Sequence, residues 1–329
     1  MNNFSYTRAA AVEDAVDQIA QDPKAKFIAG GTNLLDLMKE NVERPTMLID
    51  ITRIALNTIE PTEEGGLRLG ALVTNADTAY HEEVEKRYPL LSHAILAGAS
   101  SQLRNMATNG GNLMQRTRCY YFYDNATPCN KREPGSGCSA LNGYNRIHAI
   151  LGASPNCIAT HPSDMCVALA ALDATVQVQG KRGSRSIPFF DFHRLPEETP
   201  ERDNNLNTDE IITSIDLPPN GFSENYSYLK VRDRASYAFA IVSVAAALEL
   251  EDKKIKDVRL ALGGVAHKPW RNLEAEELLR GKSATKKSFA EAAELILKGA
   301  QGYGDNTFKI ELAKRSIVRA LIQAKEMKS

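Results

Sequence analysis

The sequence predicts an α+β protein of two domains, and three observations carry that prediction. At 329 residues the chain is long for one domain. An apolar fraction of 43% supports a packed core. Helix-like and strand-like runs alternate in the first part, whereas after Pro218-Pro219-Asn220-Gly221 three strand-like runs precede the helices. That break places one domain at 1–220, split into lobes of about 1–60 and 61–220, and a second at 221–329.

The elements follow in order. Val12, Ala15, Val16 and Ile19 have i, i+3, i+4, i+7 spacing and predict a first helix. Residues 26–29 read as a short buried strand and 30–33 as a turn. A helix over 34–41 keeps Leu34, Leu35, Leu37 and Met38 mostly on one side, and 47–51 is another strand. Turn signals at Pro61 and Gly65-Gly66 open the second lobe. There 67–73 alternates like a strand, Thr74 or Asn75 caps a short helix, and a longer helix spans about 90–103. Asn109-Gly110-Gly111-Asn112 interrupts it, and 115–157 has little periodicity. Ser163-Asp164 caps an apolar helix with Met165, Leu169 and Leu172 on one face, and 174–179 reads as a strand. Residues 193–210 are polar, acidic and proline-containing, the composition of an exposed connector. Three strands at 226–231, 240–250 and 258–263 follow, with Trp270 at a helix start and a last helix burying Ile310, Ala313, Ile317, Leu321 and Ala324.

Composition excludes several functions. The 40 Lys+Arg balance 41 Asp+Glu, so the broad basic field of a nucleic-acid binder is missing. No run approaches eighteen apolar residues, so no membrane span is expected. Acidic residues occupy the place where a signal peptide needs an apolar run, so the chain is expected to have no export signal of its own. G-x-S-x-G and H-E-x-x-H are missing, and no hydrolytic centre is expected.

Two constellations carry chemistry. Gly30-Gly31-Thr32-Asn33 lies between a strand and a helix, where missing Cβ atoms and consecutive N–H groups can admit a phosphate. Thr108-Asn109-Gly110-Gly111-Asn112 could face the same diphosphate from the other lobe. Each also reads as an ordinary turn or helix stop. The second constellation is the cysteines: Cys119, Cys129, Cys138, Cys157 and Cys166 all fall within 48 residues. An odd count argues against a disulfide scaffold. No C-x₂₋₄-C knuckle favours zinc, while a cubane iron–sulfur cluster tolerates separated ligands; zinc and plain buried thiols stay open. Arg116, Arg118, Lys131, Arg132 and Arg146 could offset cluster charge. Cys166, inside the apolar helix, reads as a structural thiol, and His161 as a packing or turn residue.

The segments KFIAGGTNLLDLM, LRLGALVTN, ATNGGNL, HPSDMCVALAALDA, DEIITSIDLP, YLKVRDRASYAFAIVSVAAAL and LALGGVAHKPWR, in this order, resemble the FAD-binding medium subunit of the xanthine dehydrogenase/molybdenum hydroxylase family. About fifty residues separate GGN from the S-D helix here, and RTRC, PCNKR and GSGC within them resemble the 4Fe–4S insertion of flavoprotein subunits of periplasmic aldehyde oxidoreductases. A comparable insertion occurs in the related subunit of 4-hydroxybenzoyl-CoA reductase. The resemblance implies a two-lobed FAD-binding domain of the vanillyl-alcohol-oxidase type. A 4Fe–4S insertion would fall at about 115–160, and a smaller CO-dehydrogenase-flavoprotein-like α+β domain with a three-stranded antiparallel sheet would follow. It further implies that Lys26, Phe27, Ile28, Ala29, Gly30, Gly31, Thr32, Asn33 and Leu34 form the pyrophosphate loop, with Thr108, Gly111 and Asn112 in the second loop. Asp164, Ile212 and Lys230 would also contact FAD, and Cys119, Cys129, Cys138 and Cys157 would hold the cluster. The implied role is electron transfer in a molybdenum-containing aldehyde oxidoreductase: a molybdenum-cofactor large subunit oxidises aldehyde, a 2Fe–2S small subunit relays electrons, and FAD passes them to an external acceptor. Export on a partner's signal would place it in the periplasm, with the cytoplasm as alternative. The rival readings are a self-contained FAD oxidase and a metal-stabilised binding protein without flavin.

Overall fold

A computed structural model describes residues 2–327. The first lobe is a parallel sheet of β1 (Ser5–Arg8), β2 (Lys26–Ile28) and β3 (Met47–Asp50) in the order β1-β3-β2. Helix α1 (Val12–Gln21) buries Ala15, Val16 and Ile19 in one cluster with Ile49, Ile51 and Ile54, as its periodicity predicts. Helix α2 (Leu34–Lys39) is shorter than expected, because Asn41 turns the chain with φ 56°.

The second lobe is a five-stranded antiparallel sheet, β4-β5-β8-β6-β7, formed by β4 (Ile59–Pro61), β5 (Leu67–Gly70), β6 (Thr175–Gly180), β7 (Gly183–Pro188) and β8 (Ile211–Leu217). Five short helices lie between β5 and the cysteine-rich segment, α3 (Asn75–Ala79), α4 (Glu82–Arg87), α5 (Pro89–Ala97), α6 (Ser101–Arg104) and α7 (Asn109–Leu113), and α8 (Tyr120–Tyr123) lies within that segment directly after Cys119. Helix α9 (Asp164–Ala171) is buried along its whole length, and α10 (Phe189–Phe192) follows β7. Thr74 and Ser163 cap α3 and α9 as their residue types predict.

Three expectations need correction. The helix expected over 90–103 is two helices, since Ala99 has φ 51° and Ser100 caps the second. The 109–112 segment does not interrupt a helix but starts one: Thr108 caps α7, and neither Gly110 nor Gly111 has positive φ. The 193–210 connector is not simply exposed. His193 and Glu210 are buried in it, and its Asp203 meets two cations of the cysteine-rich loop.

The second domain's sheet is β12-β11-β10-β9, antiparallel throughout: β9 (Tyr226–Val231), β10 (Val242–Glu251), β11 (Lys254–Gly263) and β12 (Trp270–Arg271). The three expected strands are present, and a two-residue fourth joins them. Trp270 therefore sits in a strand, and α11 (Leu273–Leu279) begins after the cap residue Asn272. The added strand is held by Arg271, which pairs with the buried Glu276 at 2.7 Å and donates to Ala170 O at 3.0 Å at the end of α9. Helices α12 (Lys286–Ile296) and α13 (Phe308–Glu326) cover one face. The apolar run of β10 reflects burial on both faces. Val242, Val244, Ala246 and Leu248 pack on the helices of this domain, while Ala245 and Ala247 face α9 and the second lobe. Alanines on that side let α9 approach closely and fix β9 beside it. No helix among the described residues is long and apolar enough to cross a membrane.

Candidate functional site

The two glycine loops meet at the junction of the lobes. Gly30 packs against the backbone just before Thr108, so closely that a Cβ there would lie 1.8 Å from Met106 O. Gly31 takes φ 69°, conformations that together only glycine accepts without strain. Either side of this contact lies a chamber. The smaller, about 470 Å³, is lined by Lys26, Phe27, Ile28, Ala29, Gly30, Gly31, Thr32, Asn33, Leu34, Thr108 and Ile212. The larger, about 860 Å³, has Asn112, Asp164 and Lys230 in its wall. Thr32, Asn33 and Gly111 line both, so the chambers form one cleft with its waist at the loops. All fifteen residues expected at a flavin are thus brought to one cleft.

The donors at the waist are free for a ligand. Among the described residues, no protein acceptor meets the backbone N–H groups of Gly30, Gly31, Thr32 or Asn33, and Asn33 Nδ2 is a buried, unpartnered donor. Asn33 Oδ1 is fixed by Arg116 N–H at 3.0 Å, which orients that amide. Two ring systems joined by an anionic diphosphate fit this shape: one in each chamber, the phosphates at the unpaired N–H groups. The second loop is braced by a hydrogen-bond network that the sequence does not announce. Asn112 Nδ2 donates to Asn75 Oδ1 at 2.6 Å, Ser163 Oγ donates to Asn112 Oδ1 at 2.7 Å, and buried Asn109 donates to Gly70 O at 3.2 Å. Asn75 was legible only as a possible cap.

Asp164 and Lys230 form a buried ion pair at 2.7 Å on the floor of the larger chamber. Tyr228 OH donates to the other carboxylate oxygen at 2.6 Å, and burial beside that charge holds the phenol well above its ordinary range. Lys230 Nζ also donates to Ala97 O at 3.0 Å, so β9 is tied to α5 and α9 through one ammonium.

Cys119, Cys129, Cys138 and Cys157 line one small cavity. All four are free thiols, and Cys129 and Cys138 face each other in an isolated β-bridge. Among the described residues, no three of these sulfurs lie within 4.8 Å of one another. Thiolates around one zinc ion, with Zn–S near 2.3 Å, would be closer than that; thiolates on separate iron corners of a cubane would not. The four thiols are thus not drawn in around a single ion, and they are the residues that would hold a larger group. Burial pushes the Cys119 thiol up to about 12 and Cys157 up to about 11, so these thiols stay neutral unless a cationic group displaces their protons. Of the five basic residues expected to offset cluster charge, only Lys131 lines this cavity. Arg116, Arg118 and Arg146 are committed to Glu43 and Asp203, Asp36, and Asp233, and Arg132 donates to the carbonyls of Tyr121 and Phe122.

His161, Cys166 and His193 also bring ligand atoms within 4.8 Å of one another. They do not read as a metal site. Ser163 N–H donates to His161 Nδ1 at 3.3 Å, which leaves the ring proton on Nε2 and no lone pair facing the group. Burial raises the Cys166 thiol to about 12, consistent with a structural role.

Asp203 latches the connector over the cysteine loop, accepting from Lys131 Nζ at 2.5 Å and Arg116 Nε at 2.8 Å, with His267 Nε2 3.7 Å away. Burial alone would raise its pKa, but Lys131, Arg116 and His267 outweigh that and hold it far below the carboxylate range. Glu210 behaves alike: burial opposes, yet Arg185 and the Asn207 donors bring it to about 2. Both folded values lie below the unfolded ones, so this stabilisation is complete above pH of about 4 and is lost as pH falls from there through the folded values. Burial also holds His193 down at about 4, His267 at about 3 and His161 well below 6.5, so the unfolded chain takes up their protons first. Tm is therefore expected to decline from about pH 6.5 and to keep falling below about pH 4 as the carboxylates titrate, with Asp203→Asn lowering Tm at neutral pH and flattening only the part of the slope below about pH 4.

Comparison with known proteins follows the same division. Residues 2–220 match the family described as FAD binding domain in molybdopterin dehydrogenase, and 227–324 match the CO dehydrogenase flavoprotein C-terminal domain. The chain is 50% identical over 327 residues to the aldehyde oxidoreductase FAD-binding subunit PaoB of Escherichia coli strain K12, covering 99% of each chain. It is 31% identical to the glyceraldehyde dehydrogenase medium chain of Sulfolobus acidocaldarius, over 85% of this chain and 82% of that one. A solved carbon monoxide dehydrogenase structure from Hydrogenophaga pseudoflava superposes with a TM-score of 0.77 at 25% identity, covering 98% of each chain.

Proposed function

The chain belongs to the family of FAD-binding medium subunits of the molybdenum hydroxylases, and from that premise we propose that it is the electron-transfer flavoprotein subunit of an aldehyde oxidoreductase. The observation that carries the flavin part is the two-chambered cleft with unpaired N–H groups at its waist. Bound FAD supplies one- and two-electron chemistry. The protein's own residues bind and orient: Lys26 to Leu34 and Thr108, Gly111 and Asn112 hold the diphosphate, Ile212 supports the end in the smaller chamber, and Asp164 with Lys230 shapes the larger one. No acid–base dyad on a substrate is needed, because aldehyde oxidation belongs to a molybdenum-cofactor large subunit. A 2Fe–2S small subunit delivers electrons to this chain, which hands them to an external acceptor. Identity of 50% to an aldehyde oxidoreductase FAD-binding subunit over the full length favours this assembly and this substrate class.

The insertion is read as the site of a 4Fe–4S cluster on Cys119, Cys129, Cys138 and Cys157, supported by their convergence on one cavity. Export to the periplasm on a partner's signal is part of the same reading. An absorption spectrum of the purified chain with flavin, iron and sulfide analysis tests it. One flavin and about four iron per chain are expected. Zinc without flavin would sink the reading, and flavin reduced by aldehyde without any partner would favour a self-contained oxidase.

A further inference from the structure

The start of the C-terminal helix α13 grips the cysteine-rich insertion from outside. Lys309 Nζ donates to the carbonyls of Ile147 at 3.3 Å, His148 at 2.7 Å and Gly264 at 2.5 Å. Three carbonyls match the three donors of an ammonium. Asn306 Nδ2 adds bonds to His148 O at 3.3 Å and Ala149 O at 2.9 Å, and both anchor side chains are wholly buried. The backbone of 147–149 is therefore held on both sides. From it the buried imidazole of His148 reaches into the cysteine region and places Nε2 3.0 Å from Cys119 Sγ. Its other ring nitrogen has no partner, so the contact with sulfur is the one polar interaction of the ring among the described residues.

We infer that His148 donates an N–H···S hydrogen bond to the Cys119 sulfur of the iron–sulfur cluster and raises the cluster's reduction potential, with Lys309 and Asn306 fixing its position. This rests on the cluster reading above. A cysteine that ligates iron has lost its proton, so the ring nitrogen facing it must carry the hydrogen. Reduction adds negative charge to the cluster, part of which sits on its sulfurs. A donor aimed at one of them stabilises the reduced form more than the oxidised form, so the potential rises. Of the other ligand sulfurs, Cys157 receives a backbone N–H from Ala159 at 3.4 Å, and Cys119 alone is met by a side-chain donor among the described residues. His148 is thus a positioning and tuning residue acting through Cys119. Because its anchors lie in the first turn of α13 and in the turn just before it, the potential is tied to the seating of the insertion on the second domain.

The test is an EPR-monitored redox titration of the full chain carrying its cofactors. His148→Phe keeps a ring and removes the donor, whereas His148→Gln can return an N–H near the position of Nε2. With iron content unchanged, H148F is expected to lower the ratio of reduced to oxidised cluster at a fixed potential about tenfold, a shift of about 59 mV for a one-electron couple. H148Q should recover most of it. H148F titrating like the parent, or H148Q falling as far as H148F, overturns the inference. Should H148F not retain iron, pulsed EPR of the reduced parent chain with ¹⁵N-histidine decides: a coupled ring nitrogen and an exchangeable proton are expected, and their absence overturns it. A parent chain without iron and sulfide overturns the cluster reading itself, and this inference with it. A normal cluster indifferent to His148 overturns the inference alone.

Discussion

Gly30→Ala is expected to strip flavin from the chain. The added methyl would sit 1.8 Å from Met106 O and 2.6 Å from Met106 C, both backbone atoms that no rotamer change can move. Real Cβ contacts stay above 3.0 Å, so the two loops must part by more than an ångström. Overpacking of this kind costs about 1–3 kcal/mol in stability. The larger effect falls on the ligand. Hydrogen bonds to a charged group contribute about 1.5–3 kcal/mol each, so misaligning two of the four free N–H groups costs about 3–6 kcal/mol, or at least about a hundredfold in affinity. Gly111→Ala is the internal comparison: its Cβ would meet only the Thr108 hydroxyl, at 3.0 Å, and the backbone there needs no positive φ. Flavin content after gel filtration should fall below a detectable level for G30A and only partly for G111A. Equal retention in both would show that the close approach of the loops does not govern binding.

What made this cleft legible was local chemistry. Gly30-Gly31 after a strand, Thr108 before two glycines, and Ser163-Asp164 before an apolar run each announce a loop or cap within five residues. The clustering of the cysteines did the same for the insertion. What stayed hidden depends on partners far away in the chain. Strand β1 has the sequence SYTR, with no apolar run, and exists because it pairs in parallel with Met47–Asp50. Strand β8 becomes central only by pairing with β5 and β6, at separations no local window spans. Asp203 looked like one more acidic residue in a polar connector until Lys131 and Arg116 were placed beside it. The same holds for His148: a histidine outside any metal spacing says nothing of its neighbours, and Lys309 reads as one charge on an amphipathic helix. Even the break in the 90–103 helix lies in Gly98-Ala99, of which Ala99 adopts a positive φ that its residue type does not announce.

Lys230→Met is expected to have the largest effect on stability, because it removes one half of a pair that is buried on both sides. The Lys230 and Asp164 side chains are only 4% and 8% exposed. Taking away one partner of such a pair costs about 3–5 kcal/mol, since the remaining charge is left without compensation. Among the described residues the only other side-chain donor to Asp164 is the Tyr228 hydroxyl, which cannot neutralise it. A loss of about 3 kcal/mol corresponds to a Tm lower by roughly 6–12 °C for a cooperative unit the size of the first domain. The loss also reaches the ligand. An uncompensated carboxylate in the wall of the larger chamber repels an anionic cofactor, so flavin retention should fall along with Tm. Charge and packing make opposite forecasts for the double variant Asp164→Asn with Lys230→Met. If the uncompensated charge is the cause, the second substitution removes it and recovers a large part of both Tm and flavin. If the cause is the lost link from β9 to Ala97 O and α9, the second substitution makes matters worse, because Tyr228 then also loses its anionic partner. The geometry favours recovery: the ammonium spans 2.7 Å to the carboxylate and 3.0 Å to the carbonyl, so the charged contact is the shorter and stronger of the two.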